Sequence, residues 1–371
     1  MKVPVKMPIR MTLLALATSG LLSTAVSAQD AGELKIFNWS DYIAEDTIDN
    51  FKQETGIDVT YDVYDSNEIL DARLLTGRSG FDVVVPSNHF LAKQIQAGVY
   101  QELDHSKLPN MKNLDPKLLT QLESVGLGTK YAIPYMWGTN GIGYNVDKVK
   151  AILGDDAPLN SWDLVFDPEV ASKLASCGIS MLDSGDDMMT SALGYLGLNP
   201  NSTSKDDLEK AEALLLSVRD SVRYFHSSRY ISDLANGDIC VAVGFSGDVF
   251  QAADRASEAE NGVNIAYTIP KEGTQLWFDM MAVPKDAPNP DNAHAFINYI
   301  LRPDVVAPIT DYVAYANPNT AANDLIDPEI LSDPAIYPTA EVMDKLFIAE
   351  PRPLAAQRIV TRSWNRIKSG Q

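Results

Sequence analysis

The sequence has little of what metal sites and catalytic sites require. It contains four histidines and two cysteines among 371 residues, and the histidines show no His-x-x-x-His or comparable metal spacing. It contains no Walker loop, and Gly126-Leu-Gly128 is too short for a dinucleotide-binding turn. Gly244-Phe-Ser-Gly247 is one residue short of the Gly-x-Ser-x-Gly nucleophile elbow. These absences argue against an enzyme, and we expect the protein to bind no cofactor and no metal.

Long apolar runs are also scarce. The only pronounced run, 11–26, follows three basic residues within the first ten positions and precedes small residues ending at Ala28. This pattern is typical of a secretory signal peptide over residues 1–28 that is cleaved after Ala28. A membrane anchor is the alternative, but the run is interrupted by Thr, Ser and Gly and is shorter than the ~20 residues that span a bilayer. We therefore expect an exported, soluble protein.

Basic residues are fewer than acidic residues in this sequence. The chain has 50 Asp and Glu residues against 30 Lys and Arg residues, a formal net charge of −20. Removal of the signal peptide makes the net charge more negative, because the charged residues of that segment are all basic. Nucleic acid is thereby disfavoured as a partner, and cationic ligands are attracted on approach.

Length and cysteine content bear on the organisation of the chain. A chain of this length exceeds what one hydrophobic core usually covers, so two lobes are expected. Cys177 and Cys240 are the only cysteines, and in an exported protein a pair is normally joined. A disulfide is predicted, with two buried free thiols as the alternative, and the bridge would place both residues in one lobe.

Strand patterns alternate with helical patterns between residues 34 and 86, which predicts a parallel α/β sheet. Several strands end in a polar loop that opens a helix, at 38–42, 86–88 and 183–187. In open α/β sheets, ligands bind beside such carboxyl ends of the strands. We therefore expect a binding site that gathers these loops.

Three extended segments are predicted to cross between the lobes. The first is 131–145, rich in Gly and aromatic residues, and the others are 264–270 and 314–318. Several crossings would form a hinge. The predicted division gives residues 29–136 and about 263–311 to lobe 1, and about 137–262 and 312–371 to lobe 2.

Six segments place an acid, an aromatic ring or a hydroxyl group at or near the end of a regular element. They are 38–42, 81–87, 186–187, 237–248, 277–281 and 311–318. For most of these side chains helix capping is the alternative role, because hydroxyl and carboxylate oxygens accept the free N–H groups of a first helical turn. For Asp187 the alternative role is structural, because a carboxylate in the first turn of a helix interacts favourably with the positive end of the helix macrodipole.

Asp279 differs from the other acids because it lies within an apolar strand that offers no helix to cap. A carboxylate there must be paired or meet a ligand, since burying it alone costs several kcal/mol. Together, carboxylates at intervals with rings between them suit a multiply charged amine. Carboxylates provide charge-assisted hydrogen bonds, and rings contact both the ammonium groups and the methylenes.

At these positions the sequence resembles the periplasmic polyamine-binding proteins of bacterial ABC importers, particularly the putrescine-binding branch. The resemblance covers essentially the whole mature chain. It is strongest in the segments 38–43, 61–68, 84–87, 134–137, 143–148, 224–228, 233–240 and 301–306.

The resemblance implies an α/β, two-lobed periplasmic (type II solute-binding) fold, with mixed sheets flanked by helices and a multi-strand hinge. It also implies a disulfide between Cys177 and Cys240, an ABC permease as partner, and a monomer. The ligand-binding residues it implies are Trp39, Ser40, Asp41, Tyr42, Ser87, Asp187, Phe245, Asp248, Trp277, Asp279 and Tyr315. Asp248 and Asp279, with Ser40, would hold one terminal ammonium group of the polyamine, and Asp187 would face the other end.

Two positions depart from the putrescine-binding pattern. Phe245 stands where that pattern usually has Trp, and Asp187 stands where it has Glu, while Trp277 is Phe or Trp among relatives. The shorter Asp187 withdraws a carboxylate and predicts spermidine ahead of putrescine as ligand. An amine-sensing role and another small cation are the alternatives. An amino acid is disfavoured, because its carboxylate would normally meet an Arg, and the candidate walls contain none.

Overall fold

The computed structural model describes residues 31–370. The predicted signal peptide, residues 1–28, lies outside the described residues. The strands are β1 (Glu33–Trp39), β2 (Asp58–Tyr64), β3 (Val83–Val84), β4 (Ala132–Asn145), β5 (Ile179–Met181), β6 (Val222–Phe225), β7 (Val241–Phe245), β8 (Ile265–Thr268), β9 (Gln275–Ala282) and β10 (Phe347–Ile348).

The α-helices are α1 (Thr47–Thr55), α2 (Asn67–Leu74), α3 (Asn88–Gln96), α4 (Pro116–Ser124), α5 (Val146–Leu153), α6 (Asp163–Phe166), α7 (Pro168–Leu174), α8 (Gly185–Tyr195), α9 (Lys205–Val218), α10 (Arg229–Ala235), α11 (Ser246–Glu258), α12 (Pro290–Ile300), α13 (Pro303–Val313), α14 (Pro328–Ser332), α15 (Ala340–Met343) and α16 (Leu354–Ser369). Short 3-10 helices lie at His105–Lys107, Pro109–Asn113, Arg219–Ser221 and Thr320–Ala322.

Local sequence explains several helix boundaries. The Asp187 N–H in the first turn of α8 donates to Ser184 Oγ at 3.3 Å, so Ser184 caps the helix. Asp115 caps α4 in the same way, through the N–H of Lys117 at 2.8 Å. α1 ends at Gly56, whose φ of 74° is a left-handed conformation that glycine adopts without steric cost.

The strands form a mixed sheet. The order is β2-β1-β3-β9-β4-β7-β5-β6, with β10 beside β9 and β8 beside β4. β1 runs parallel to β2 and β3, as the strand–helix alternation of that region predicts. β9 is antiparallel to β3 and to β4, and β4 is antiparallel to β7 and β8.

The long strand β4 belongs to both halves of the sheet. Its residues 132–139 pair with β9, and its residues 140–145 pair with β7 and β8. This strand coincides with the first segment predicted to cross between lobes, 131–145. The third predicted crossing lies against it, because the Trp137 N–H donates to the Ala316 carbonyl at 2.9 Å.

The hydrophobic core is divided into separate clusters on the two sides of β4. One side has two large clusters, one packed with α1, α12 and α13 and the other with α2 and α3. The other side has one large cluster built from β5, β7 and helices that include α8, α9, α10 and α16. This division is what a two-lobed chain requires.

The predicted lobe boundaries stay a prediction, but the packing favours one change. The cluster packed with α12 and α13 contains Val313, Tyr315, Ala322 and Ile326. The partly buried Met343, Leu346 and Ile348 pack against the cluster with α2 and α3. Only the C-terminal helix α16 joins the cluster of β5 and β7. The packing therefore favours placing 312–349, predicted for lobe 2, with lobe 1.

A disulfide joins Cys177 to Cys240, with a Cα–Cα distance of 5.6 Å. The predicted bridge is thus confirmed, and both residues lie with the cluster of β5 and β7. Across residues 31–370, none of the helices combines the length and the apolar character needed to cross a bilayer.

Candidate functional site

A cavity with about 480 Å³ of empty space, part of it open to solvent, lies between the two sides of the molecule. Ten of the eleven residues predicted to bind ligand line it: Trp39, Ser40, Tyr42, Ser87, Asp187, Phe245, Asp248, Trp277, Asp279 and Tyr315. Residues at the ends of β1 and β3 and on β9 form one wall, and the first turns of α8 and α11 contribute to the other. The loops at strand ends therefore converge as the α/β pattern predicts.

Asp279 is held by neutral groups only. Ser87 Oγ donates to Asp279 Oδ1 at 2.6 Å, and Asn67 Nδ2 donates to the same Ser87 oxygen at 3.0 Å. Burial raises the pKa of the Asp279 carboxyl to about 7, while the hydroxyl groups of Ser87 and Tyr42 oppose the rise. A cation beside this carboxylate would restore its ordinary ionisation.

Asp248 lies in the first turn of α11 and accepts two tyrosine hydroxyl groups. Tyr230 donates to Oδ2 and Tyr315 donates to Oδ1, each at 2.7 Å. Burial raises the pKa of the Asp248 carboxyl to about 6, and both tyrosine hydrogen bonds oppose the rise. The helix N-terminus also favours the anion. Like Asp279, Asp248 has only neutral partners for its oxygens.

Asp187 lies in the first turn of α8 and is 6 % exposed. Its Oδ1 accepts a hydrogen bond from Asn140 Nδ2 at 3.2 Å. The neighbouring Asp186 does not line the cavity, because Arg352 pairs with it at 2.8 Å and Lys93 at 3.4 Å. Of these two adjacent acids, only Asp187 remains without a basic partner in the described part of the chain.

Aromatic rings form a continuous wall around the cavity. Phe245 contacts Trp39 at a centroid distance of 6.1 Å and Trp277 at 5.8 Å. Tyr315 contacts Trp277 at 5.3 Å and Tyr42 at 5.1 Å. Neighbouring rings meet edge to face, an arrangement that aromatic pairs favour. The result is a wall of ring faces and edges between the carboxylates.

Asp41 is the predicted ligand-binding residue that does not line the cavity. Its φ of 54° is left-handed, and its carboxylate pairs with Arg255 of α11 at 2.6 Å. Gln251 of the same helix donates to the Asp41 carbonyl at 3.2 Å. Asp41 thus joins the end of β1 to α11 outside the cavity.

Five further residues line the cavity and were not predicted: Asp65, Asn67, His89, Ser227 and Gln275. The sequence did contain a signal for Gln275. Side chains alternate along a strand, so Gln275, Trp277 and Asp279 share the cavity face of β9, while Leu276 and Phe278 pack into the core. The other four follow the ends of β2, β3 and β6, so the strand-end pattern applied to the predicted residues was a signal for them as well.

The charge of the lining is strongly negative. Asp65, Asp187, Asp248 and Asp279 line the cavity, and His89 is its one basic side chain, with no Lys or Arg among the described lining residues. Residues 31–370 contain no group of three or more His, Cys, Asp or Glu side chains placed to hold a metal ion. The arrangement of separated carboxylates and rings suits an organic cation.

Comparison with known proteins agrees with this geometry. A family model described as bacterial extracellular solute-binding protein matches residues 46–339. The putrescine-binding periplasmic protein SpuD of Pseudomonas aeruginosa is 56% identical over 360 residues, covering 97% of this chain and 98% of that protein. The putrescine-binding periplasmic protein PotF of Escherichia coli is 54% identical over 361 residues, covering 95% and 98%.

A solved structure supports the same fold. The spermidine/putrescine ABC transporter substrate-binding protein PotD from Streptococcus pneumoniae has a TM-score of 0.73 and 29% identity, covering 91% of this chain and 99% of that chain. These similarities confirm the predicted two-lobed solute-binding fold and the resemblance to polyamine-binding proteins. They also confirm that the protein is not an enzyme, because the family binds solutes. The chain belongs to the bacterial extracellular solute-binding protein family.

Proposed function

We propose that the protein binds a polyamine, spermidine or putrescine, in this cavity and delivers it to an ABC importer. One observation carries the proposal: Asp187, Asp248 and Asp279 are buried in one cavity and have only neutral hydrogen-bond partners. Uncompensated carboxylates in a poorly solvated site are costly unless a cation joins them. A ligand with several ammonium groups supplies that charge.

The positions of the carboxylates support an orientation for the ligand. Asp248 and Asp279, with Ser40, would hold one ammonium group, and Asp187 would face the other. Each ammonium group would gain charge-assisted hydrogen bonds. The ring wall between the carboxylates would cover the methylenes, and each cation–π contact contributes about 0.5–2 kcal/mol.

Two candidate ligands follow from different observations. Putrescine is favoured by the names of SpuD and PotF, which share more than half of their residues with this chain. Spermidine is favoured by Asp187, because Asp is shorter than Glu and leaves more room at that end of the cavity. The order predicted from the sequence, spermidine first, is the one that titration must test.

The cellular setting is part of the proposal. The relatives SpuD and PotF are named as periplasmic, and the N-terminal pattern predicts export with cleavage after Ala28. The protein would act as a monomer that presents its loaded form to a permease at the inner membrane. A sensing role, in which the loaded protein signals to a receptor, uses the same cavity.

Calorimetric titration of the refolded, ligand-stripped protein tests the proposal. Putrescine, cadaverine, spermidine and spermine are titrated separately, with glutamate as an anionic control. We expect saturable heat from at least one polyamine and none from glutamate. Absence of heat from every amine would contradict the function, and tighter binding of putrescine than of spermidine would contradict the argument from Asp187.

A further inference from the structure

His89 is a buried cavity residue without an assigned role. It is 4 % exposed, it lines the cavity, and neither of its ring nitrogens has a hydrogen-bond partner among the described residues. Buried polar side chains are normally hydrogen-bonded. His294, also buried, shows the usual case, because one nitrogen meets the Pro290 carbonyl at 2.6 Å and the other accepts from the Asp104 N–H at 2.9 Å.

The position of His89 in the helix disfavours its charged form. It is the second residue of α3, where the positive end of the helix dipole opposes a cation. Burial lowers the pKa of the imidazole below its ordinary value of 6.5, and this effect outweighs the charges around it. The ring is therefore neutral near pH 7, with one nitrogen free to accept a hydrogen bond.

The charged groups that face His89 come from several elements. On α8, Asp187 and Asp186 favour the imidazolium, while Lys93 on α3 and Arg352 before α16 disfavour it. Asp186 is already paired with both of those cations. Other carboxylates line the same cavity, namely Asp65, Asp248 and Asp279. Asp187 is thus the carboxylate acting most strongly on His89 that still lacks a basic partner.

We propose that His89 is a ligand-binding residue whose neutral imidazole accepts a hydrogen bond from the ammonium group that Asp187 attracts, so that protonation of His89 releases the polyamine. This inference rests on the proposed function. An ammonium group has three N–H donors, and one short carboxylate leaves some of them without acceptors. A neutral acceptor in the same cavity as Asp187 completes the site without adding charge.

Protonation reverses both contributions of the ring. The accepting nitrogen becomes a donor, and a positive charge is placed beside the ammonium group. Because the bound state then requires a neutral His89, affinity falls by up to about tenfold for each pH unit below the pKa of the ring in the free protein. Asp248 and Asp279 weaken binding in the same direction when they are protonated, so a variant is needed to isolate the histidine.

Two substitutions separate the roles of the ring. His89→Gln keeps a neutral acceptor that does not titrate, and His89→Phe keeps a ring without an acceptor. We expect His89→Gln to bind within about threefold of the parent near pH 8, and His89→Phe to bind about tenfold more weakly, since an ammonium donor loses its partner. The exposed His105, which bonds the Thr129 carbonyl at 2.8 Å, provides the control His105→Gln.

The decisive measurement is the pH dependence of the dissociation constants for putrescine and spermidine between about pH 5 and pH 8. The slope of log affinity against pH gives the number of protons released on binding. This slope should be smaller in His89→Gln than in the parent, by as much as about one proton, and it should be the same in His105→Gln as in the parent. Equal slopes in the parent and His89→Gln would overturn the proposal. If the parent binds no polyamine, the proposed function fails instead, and the two failures are therefore distinguishable.

NMR titration of the unmodified protein provides a test that does not depend on folding of the variants. The ring resonances of His89 should titrate at a lower pH in the polyamine-saturated protein than in the free protein. A pKa that rises on binding would show an imidazolium paired with Asp187, which would overturn the assignment of a neutral acceptor.

Discussion

The hydroxyl group of Ser87 donates a hydrogen bond of 2.6 Å to the carboxylate of Asp279, although the two residues are 192 positions apart in the sequence. The ionised carboxylate can only accept, so Ser87 is the donor of this bond, while its oxygen accepts from Asn67 Nδ2 at 3.0 Å. The hydrogen bond orients the carboxylate and leaves its charge uncompensated. A cationic ligand would therefore meet an acceptor that is already in position.

Substitution of the two buried carboxylates by amides should reduce polyamine affinity strongly. We expect Asp279→Asn and Asp248→Asn each to cost more than about 2 kcal/mol, because truncating one partner of a buried charge pair costs about 2–5 kcal/mol. Calorimetric titration near pH 8 measures the loss. Asp254→Asn, an exposed position on the same helix as Asp248, is the control. A loss within about 1 kcal/mol for either buried position would contradict its assignment as an ammonium contact.

The same Asp279→Asn variant should be more stable than the parent in the absence of ligand. The pKa of Asp279 is raised from 3.8 to about 7 by burial, so the folded state binds this proton more tightly than the unfolded state. The stabilisation that the protonated Asp279 gives the folded protein is therefore complete below about pH 4 and is lost as pH rises through about 7. We expect the variant to gain on the order of a few kcal/mol near pH 8 and little near pH 4.

Thermal unfolding of the ligand-free proteins at both pH values measures this difference. The exposed Asp155 provides the control Asp155→Asn. A variant that is no more stable than the parent near pH 8 would show that the Asp279 carboxylate is solvated in the free protein.

The sequence predicted Asp279 for a physical reason, and the structure places Asp41 outside the cavity for another. An acid in an apolar strand must have a partner, and alternation along β9 fixes the face on which Asp279 lies. Asp41 follows Ser40 in the same loop, but its left-handed φ of 54° turns the side chain toward Arg255. Neighbouring residue types do not encode that turn, because Asp is common in turns of many kinds.

Contacts between distant segments account for what else could not be predicted. Strand–helix alternation correctly predicted the parallel strands β1 to β3, because that pattern is local. His89 on α3 and Asp187 on α8 line the same cavity, and an ion pair between Lys93 and Asp186 joins the two helices. The packing of Val313, Tyr315, Ala322 and Ile326 in the cluster with α12 and α13 likewise depends on tertiary contacts, which periodicity does not reveal.

Substitution of Asp41 should have a small effect on affinity if it joins the two sides of the cavity without contacting ligand. Its ion pair with Arg255 is about two-fifths exposed on both side chains, and such exposed pairs contribute about 0.2–1 kcal/mol. We expect Asp41→Asn to weaken polyamine binding by no more than about fivefold, and Arg255→Gln to do the same.

A double-mutant cycle with both substitutions tests this role by titration calorimetry. The double variant should bind polyamine about as well as either single variant, because all three lack the same ion pair. A loss of about a hundredfold in Asp41→Asn alone would instead identify Asp41 as a direct ammonium contact.

Lengthening the carboxylate at position 187 should change the preference between polyamines. Asp187 receives one hydrogen bond, from Asn140 at 3.2 Å, so an added methylene can extend into the cavity. We expect Asp187→Glu to raise the ratio of putrescine affinity to spermidine affinity, because the longer side chain reaches the shorter ligand and crowds the longer one. The ratio of the two dissociation constants, measured by calorimetry, reports the change.

The control is Asp183→Glu, just before the same helix, because the Asp183 carboxylate is bonded to Trp364 and Lys368. If the ratio is the same in Asp187→Glu as in the parent, the length of this side chain does not set the preference, and the prediction of spermidine over putrescine loses its physical basis.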